Sequence, residues 1–142
     1  MTSPEDVERQ HTLRTAVARY EELRAREILA DSADGTSAEV ADAERLPAAE
    51  VLELLALSEV IARKAGYGQQ LAVRTARAAG ASWASIARAL GVSKRAAWEE
   101  HMHWIDAQAE RSGQPGHEGL GASEIDRLRR SAGSPDDEDA TT

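Results

Sequence analysis

The fold is decided by the stretch Ser82-Trp-Ala-Ser-Ile-Ala-Arg-Ala-Leu-Gly-Val-Ser-Lys-Arg-Ala-Ala-Trp98. Its composition predicts a short helix over residues 83–90, with Ser82 as the residue that caps it. Gly91 supplies the left-handed conformation of a tight turn without a Cβ penalty, and Ser93 is placed to cap a second helix. Two short helices joined by a turn of three or four residues that contains Gly form a helix-turn-helix. The pattern leaves open an ordinary helical hairpin with a Gly cap.

Apolar side chains within this stretch have the spacing that two packed helices require. Ile86, Leu90 and Val92 supply apolar groups between the helices. Ala87 is small at the point where the two backbones are expected to come closest. The two tryptophans of the stretch are interpreted as packing residues rather than as platforms for stacked bases.

Composition favours an all-α fold. Aromatic residues make up 4% of the chain and Phe is absent, so the available core is aliphatic and helical. No run of alternating β-branched residues predicts a strand. The length of 142 residues indicates one compact domain with tails.

Several classes of site find no support in the residues. The chain has no Cys, which excludes disulfides, thiolate metal sites and cysteine nucleophiles. His101 and His103 are two apart on a predicted helix and point in different directions, so no metal site is expected. No Ser/His/Asp arrangement, phosphate-binding loop or carboxylate pair predicts an enzyme, and no cofactor is expected. The lack of a long apolar run and of a secretory signal predicts a cytoplasmic, nucleoid-associated protein without a membrane partner.

Charge is distributed unevenly along this acidic chain, whose net charge is −8. Residues 1–59 carry a net charge of −8, and residues 99–142 carry −7. Residues 60–98 contain seven bases and no acid, which gives the predicted helix-turn-helix and its approach a net charge of +7. A polyphosphate favours such a field because neutralised phosphates release condensed counterions. The distribution therefore favours a nucleic-acid partner in spite of the acidic total.

The pattern divides the chain into three regions. These are residues 1–46, with amphipathic helices for interaction or dimerisation, residues 47–110, with a core helix and the helix-turn-helix, and residues 111–142, a flexible acidic tail. In the first region, helices are predicted over residues 5–30 and 37–45. In the tail, two helical turns over residues 123–130 would be marginal in isolation.

The most apolar segment follows Pro47, and its apolar side chains are spread around most of a helix: Val51, Leu52, Leu54, Leu55, Leu57, Val60 and Ile61. Such a helix is expected to lie centrally, packed on two or more faces. A part in a dimer interface and a purely structural role are both open. Gly66 and Gly68 would each cost a helix interior about 1 kcal/mol relative to Ala, so the segment either breaks there or continues because packing holds it.

Three segments carry a resemblance to a known family. They are Leu-Ala-Leu-Ser-Glu-Val-Ile-Ala-Arg-Lys-Ala at 55–65, Tyr-Gly-Gln-Gln-Leu-Ala-Val-Arg at 67–74, and Gly-Ala-Ser-Trp-Ala-Ser-Ile-Ala-Arg-Ala-Leu-Gly-Val-Ser-Lys-Arg-Ala-Ala-Trp-Glu at 80–99. Together they resemble an actinobacterial family of helix-turn-helix DNA-binding proteins, from about Leu46 to Ile105. The last segment is also similar to the helix-turn-helix in region four of sigma factors. The resemblance implies sequence-directed DNA binding, without an operator, an effector or a pathway.

Candidate DNA contacts follow from placing the second helix of the motif in the major groove, where its first turn faces base edges. The candidates for base contact are Ser93, Lys94, Arg95 and Glu99. Arg95 is expected to read a guanine, whereas a solvated or ion-paired acid explains Glu99 more readily. The candidates for phosphate contact are Arg74, Arg77, Ser82, Ser85 and Arg88. Capping alone explains Ser82 equally well, and ordinary surface charge explains the three arginines equally well.

Three functions are consistent with these patterns. The leading one is a transcriptional regulator that binds double-stranded DNA as a homodimer. The second is a protein-interaction module, whose acidic N-terminal helices bind RNA polymerase, a sigma factor or another regulator. The third is a structural DNA binder in chromosome or plasmid maintenance, which the sequence does not separate from a regulator.

Overall fold

A computed structural model describes residues 2–32, 45–112 and 120–136 of the chain. Within these ranges there are six α-helices and no strand, which confirms the all-α prediction. The helices are α1 (Pro4–Gln10), α2 (Leu13–Ser32), α3 (Ala48–Ala78), α4 (Trp83–Leu90), α5 (Lys94–Ser112) and α6 (Ala122–Ala132). None of these described helices combines the length and the apolar character that a membrane span requires. Residues 37–44 of the helix predicted over residues 37–45, and residues 113–119 and 137–142 of the predicted tail, lie outside the described residues.

The N-terminal segment forms two helices, so the prediction of one continuous helix over residues 5–30 is wrong. α1 ends at Gln10, and the residue that follows it, His11, has an extended backbone at φ −128° and ψ 141°. Thr12 then starts α2, because its hydroxyl accepts from the Thr15 amide at 3.2 Å while the Thr15 hydroxyl accepts from the Thr12 amide at 3.0 Å. Such reciprocal bonds satisfy amides that a helix start leaves without a partner. The polar triplet of Gln10, His11 and Thr12 is thus a helix end followed by a helix start.

The start of α1 is capped by Ser3. The Ser3 hydroxyl accepts from the Asp6 amide at 3.2 Å, and an Asp6 carboxylate oxygen accepts from the Ser3 amide at 3.4 Å. Pro4 occupies the first helical turn, where its missing N–H costs little. Hydrogen bonds from Ser3 and Arg9 lower the pKa of Asp6. Ser3-Pro-Glu-Asp6 is therefore a capping box.

The chain separates into two compact units, residues 1–67 and residues 68–142, and the division falls inside α3. It differs from the boundary predicted at residue 46, because the first half of α3 packs with α1 and α2. The buried core of unit 1 is made of Val7, Ala16, Leu23, Leu54, Ala56, Leu57 and Val60. Arg19 and Glu53 join α2 to α3 through two hydrogen bonds at 2.8 and 3.0 Å. This pairing lowers the pKa of Glu53 below its usual range.

The apolar segment of α3 is buried on one face within unit 1 rather than on several. Leu57 and Val60 are buried at 0% and 1% exposure. Leu52 and Leu55 are 58% and 60% exposed. The expectation of a helix packed on two or more faces is therefore not met by the described residues of unit 1, and an apolar face is left on the surface.

α3 continues without a break through Gly66 and Gly68, which decides between the two alternatives that the sequence left open. A Cβ atom built on either glycine would meet nothing within 4 Å. Neither glycine is therefore required by a close approach of another element. α3 ends two residues before Gly80, which has a positive φ of 91°. The Gly80 amide donates to the Arg77 carbonyl at 3.0 Å and closes the helix end.

Replacing Gly66 and Gly68 by Ala is expected to stabilise the fold by about 1 kcal/mol for each substitution, because Ala loses less backbone entropy in a helix interior. Thermal unfolding followed by far-UV circular dichroism measures the gain. Gly91→Ala is the matched control, since Gly91 has a φ of 69°. A Cβ in this left-handed conformation costs about 1–2 kcal/mol, so this variant should lose stability. A loss of stability in Gly66→Ala or Gly68→Ala would contradict the helical environment described for them.

Unit 2 has a core to which the end of α3 and all of α4, α5 and α6 contribute. Its buried members are Val73, Trp83, Ile86, Ala87, Ala97, Ile105, Ile125, Leu128 and Ala132. Trp83 is fully buried, and its indole N–H donates to the Ala132 carbonyl at 2.8 Å. The indole N–H of Trp98 donates to the Gly133 carbonyl, also at 2.8 Å. Both tryptophans are thus packing residues in the structure, and their N–H groups hold the end of α6.

Part of the segment assigned from sequence to the flexible tail is packed into this core. α6 buries Ile125, Leu128 and Ala132, which follow one another at three- and four-residue spacing. In isolation such a helix has too little apolar surface to be stable. Here the burial of these three side chains stabilises the helix. The hydrogen bonds from the two tryptophan N–H groups and the Arg129–Asp106 ion pair at 3.1 Å add to this stabilisation.

A buried polar side chain, His101 of α5, joins α5 to α3. It is 1% exposed, and its Nδ1 lies 2.9 Å from the Gln70 amide oxygen. Because this oxygen only accepts, Nδ1 carries the proton of the neutral ring. The ring stacks on Trp104 and lies tilted against Trp83, with both centroid distances at 5.7 Å. Burial and, to a smaller extent, the charge of Arg77 lower the pKa of His101 to about 4.

The free energy of unfolding of unit 2 is expected to fall as the pH drops from 6.5 to about 4. In this window the unfolded chain binds a proton at His101, whereas the buried ring stays neutral, so protons favour the unfolded state. This difference contributes on the order of 2 kcal/mol to the free energy of unfolding above pH 6.5, and the contribution is lost below about pH 4. Urea unfolding followed by tryptophan fluorescence measures this, since all three tryptophans of the chain lie in unit 2.

Two histidine variants on α5 separate this titration from that of the carboxylates. His101→Gln should flatten the dependence of stability on pH, whereas His103→Gln should leave it as in the wild type, because His103 is exposed. If the free energy of unfolding changed equally with pH in the wild type and in His101→Gln, His101 would not be the group responsible for the pH dependence.

Candidate nucleic-acid interface

α4 begins and ends as the sequence predicts. The Ser82 hydroxyl accepts from the Ser85 amide at 3.1 Å and caps the helix. At the other end, Gly91 has φ 69° and ψ 30°, and its amide donates to the Arg88 carbonyl at 3.3 Å. The Val92 amide donates to the Ala87 carbonyl at 3.1 Å. These two bonds form a Schellman motif, which ends α4 and satisfies two of its last carbonyls.

α5 also begins at the predicted residue. The Ser93 hydroxyl accepts from the Ala96 amide at 3.0 Å, so Ser93 caps the helix that starts at Lys94. Ile86 and Ala97 are buried in one core, to which α4 and α5 each contribute. Val92, expected between the helices, is instead 42% exposed. The helix bounds and caps are thus as predicted, and recognition of DNA by this pair stays a prediction.

The candidates for base contact lie at the exposed start of α5. The Arg95 side chain is 71% exposed, and its Nε donates to Glu99 Oε1 at 3.1 Å across one helical turn. Glu99 thus has the ion-paired role that the sequence favoured. Lys94 is half-buried and Ser93 is exposed, with its hydroxyl used for the cap. The structure therefore brings Ser93, Lys94, Arg95 and Glu99 onto the first two turns of one helix.

The candidates for phosphate contact are in two different situations. Arg88 and Ser85 are exposed on α4, and Arg74 is half-buried on α3. Arg77 is turned into unit 2, where Nε donates to the Ser131 carbonyl and Nη1 to the Ala81 carbonyl, each at 3.0 Å. Its guanidinium also lies over the Trp83 ring, 5.1 Å from the centroid. Because these contacts occupy Arg77, we leave it out of the proposed interface.

The acid-free block of residues 60–98 is partly neutralised by acids from elsewhere in the chain. Arg63 pairs with Glu59 at 2.9 Å and with Glu5 at 3.4 Å, and these hydrogen bonds raise the pKa of Arg63. Lys64 lies 3.9 Å from Glu8. Both bases belong to unit 1. The positive charge available to a ligand of unit 2 is therefore smaller than the sequence count of seven bases suggests.

α6 brings further basic residues to unit 2 that the sequence interpretation did not consider. Arg127 and Arg130 are exposed on this helix. The sequence signal for these basic residues is the run Arg127-Leu-Arg-Arg130. The net charge of −7 over residues 99–142 conceals this run, because acidic residues surround it. The packed position of α6 makes these residues part of the surface of unit 2.

Metal-binding clusters are not found in the described part of the chain, where no group of three or more His, Asp or Glu side chains is arranged to hold an ion. His101 is buried on α5 and His103 is exposed.

No protein-family model, curated protein or solved structure matches this chain significantly.

Proposed function

We propose that unit 2 binds double-stranded DNA in a sequence-directed manner through α4 and α5, and that the protein is a transcriptional regulator. The observation that carries this proposal is the pair of capped helices joined by residues 91–93, with Lys94 and Arg95 at the start of the second helix. A helix start of this kind fits the major groove, where amide groups and basic side chains meet phosphates and base edges.

Arg95 has the groups that reading a guanine requires. Its Nε donates to Glu99, which orients the guanidinium along the helix surface. The two Nη groups then remain for the O6 and N7 acceptors of guanine, the commonest specific contact in the major groove. The ion pair with Glu99 would in this way position the Arg95 side chain and leave both Nη groups of its guanidinium available.

The backbone contacts are proposed at Arg88, Ser85 and Arg74. Arg88 and Ser85 are exposed on α4, the helix that crosses the DNA backbone in this mode of docking. No hydrogen bond or ion pair engages Arg74 or Arg88 among the described residues. Guanidinium groups of this kind position a protein on DNA without reading its sequence.

An electrophoretic mobility assay of the full chain on genomic fragments tests the proposal. We expect binding that weakens steeply as the salt concentration rises, because each neutralised phosphate releases counterions. Retarded fragments that share a sequence would favour a regulator, and uniform binding would favour a structural DNA binder. The absence of salt-sensitive binding at low salt would overturn the proposal.

A homodimer is part of the proposal, since paired motifs contact adjacent major grooves. The exposed apolar face of α3 at Val51, Leu52 and Leu55 is the surface we assign to the contact with the second copy. Light scattering of the full chain should give the mass of a dimer, and the variant Leu52→Glu/Leu55→Glu should give that of a monomer. A wild-type monomer at the concentrations that bind DNA would contradict this part.

The second candidate function is protein binding through unit 1, and one observation favours it. A groove of about 590 Å³ borders the exposed face of α3 and is lined by Thr2, Pro4, Ala49, Leu52, Leu55, Ala56 and Glu59. A largely apolar groove of this kind is suited to the apolar face of an amphipathic helix. Binding of purified RNA polymerase or sigma factor to the full chain, lost in Leu52→Glu/Leu55→Glu, would support this function.

A further inference from the structure

Unit 2 contains a pocket between the end of α3 and one side of α6, which lines it from Glu124 to Ser131. Its volume is about 310 Å³. Small-molecule sites measure roughly 300–1,000 Å³ and are mostly apolar with a few polar groups. The pocket is therefore at the lower end of the size range, which suits a small ligand.

The pocket has an apolar side. Ala78 of α3, Leu120 before α6 and Leu128 of α6 line it. Leu128 is 6% exposed and is anchored in the core of unit 2, so this wall is fixed. An aliphatic or aromatic body placed here would be removed from water, which favours binding in proportion to the apolar surface buried.

The pocket also has two arginines that the described residues leave without a partner. Arg74 and Arg127 line it, and no hydrogen bond or ion pair engages either within the described ranges. Two other arginines of unit 2 already have partners, since Arg77 donates to two backbone carbonyls and Arg129 donates to Asp106. Two available guanidiniums beside an apolar wall are suited to a carboxylate, which a guanidinium binds through paired hydrogen bonds.

Glu124 lines the same pocket and limits the charge of the ligand. With two guanidiniums and one carboxylate, the lining has a net charge of +1. A second anionic group on the ligand would meet Glu124 without a further cation. The lining therefore favours one carboxylate on an apolar body over a dianion.

We propose that this pocket binds a small amphipathic monocarboxylate. The carboxylate pairs with Arg74 and Arg127, and the apolar body lies against Ala78, Leu120 and Leu128.

The site has a consequence that rests on the proposed function. Arg74 is also a candidate phosphate contact, so a bound carboxylate competes with DNA for the same guanidinium. The ligand would then weaken DNA binding and act as an effector of the regulator.

Titration of the full chain with octanoate, followed by NMR chemical shifts of backbone amides, tests the pocket. We expect saturable shifts at residues 74–78 and 120–131. Acetate lacks the apolar body and 1-octanol lacks the charge, so each should bind at least about tenfold more weakly. Absence of saturable shifts, or equal binding of 1-octanol, would overturn the proposal.

Two arginine variants on α6 sharpen the result. Arg127→Ala should weaken octanoate binding by about tenfold or more, the loss expected for a hydrogen bond between charged groups. Arg130→Ala removes the same charge from the same helix but does not alter the lining, so its binding should stay within about twofold of the wild type. Equal losses of octanoate affinity in the two variants would show that the net charge of α6, rather than the pocket, determines binding, and would contradict the site.

Measuring DNA binding in the presence of octanoate tests the pocket separately from the proposed function. Octanoate should weaken DNA binding of the wild type, and the effect should be absent in Arg127→Ala. Octanoate binding without any effect on DNA binding would refute the coupling. Failure to bind DNA at all would refute the proposed function, while the NMR titration would still decide on the pocket.

Discussion

Trp83→Ala is expected to lower the free energy of unfolding of unit 2 by about 3–5 kcal/mol, the range for truncation of a buried Trp. Trp83 is fully buried, and His101 and Arg77 lie against its ring. The substitution leaves a cavity and removes the donor to the Ala132 carbonyl, which holds the end of α6. Such a loss is a large fraction of the stability of a small domain. Urea unfolding followed by the fluorescence of the two remaining tryptophans measures it.

Two controls separate the packing of Trp83 from its hydrogen bond. Trp83→Phe keeps much of the ring but loses the N–H, so we expect about 1–3 kcal/mol from the carbonyl left without a donor, with a further part from the smaller ring. Trp98→Phe removes an equivalent bond, to Gly133, from a half-buried ring and should cost less. If Trp83→Ala cost no more than Trp98→Phe, Trp83 would not be the centre of this core.

Replacing Lys94 and Arg95 together by Ala is expected to weaken binding to the preferred DNA site by at least about tenfold, since each contact of this kind is worth about 1–3 kcal/mol. Arg95→Ala should also relax the preference at one base pair, because a base contact carries sequence information. The helical content should be unchanged. The exposed ion pair of Arg95 with Glu99 contributes at most about 0.5 kcal/mol to the helix.

Arg111→Ala is the matched control for these variants. Arg111 is exposed on the last turn of the same helix, α5, and its replacement removes the same charge. We expect a small loss of affinity and no change in sequence preference. Equal effects of Arg111→Ala and Arg95→Ala would show that net charge, rather than the start of α5, determines binding.

The parts of the fold that could be predicted from sequence are those specified by local interactions. Ser82 determines where α4 begins, Gly91 where it ends and Ser93 where α5 begins, because caps and a left-handed glycine act within a few residues. The break at His11 carried a local signal too, in the threonines of the Thr12 capping box. The apolar periodicity on both sides of this break concealed it.

The parts that could not be predicted depend on contacts distant in sequence. α6 packs through Ile125, Leu128 and Ala132, and Trp83 and Trp98, 49 and 35 residues before their acceptors, donate to the carbonyls of Ala132 and Gly133 at its end. Arg77 has the spacing of a surface arginine, and only the position of Ser131 shows that it binds a carbonyl. His101 has no local signal of burial in the sequence, whereas the structure buries it with its Nδ1 bonded to Gln70 of α3, 31 residues earlier. Long-range packing thus determines which polar residues remain for function.

Selection of bound sequences from a random duplex library by the full chain tests the central proposal most directly. We predict enrichment of one motif that contains a required guanine, with that guanine no longer required after selection by Arg95→Ala. A wild-type selection without an enriched motif, or the same motif with the same guanine for Arg95→Ala, would contradict sequence-directed recognition by the start of α5.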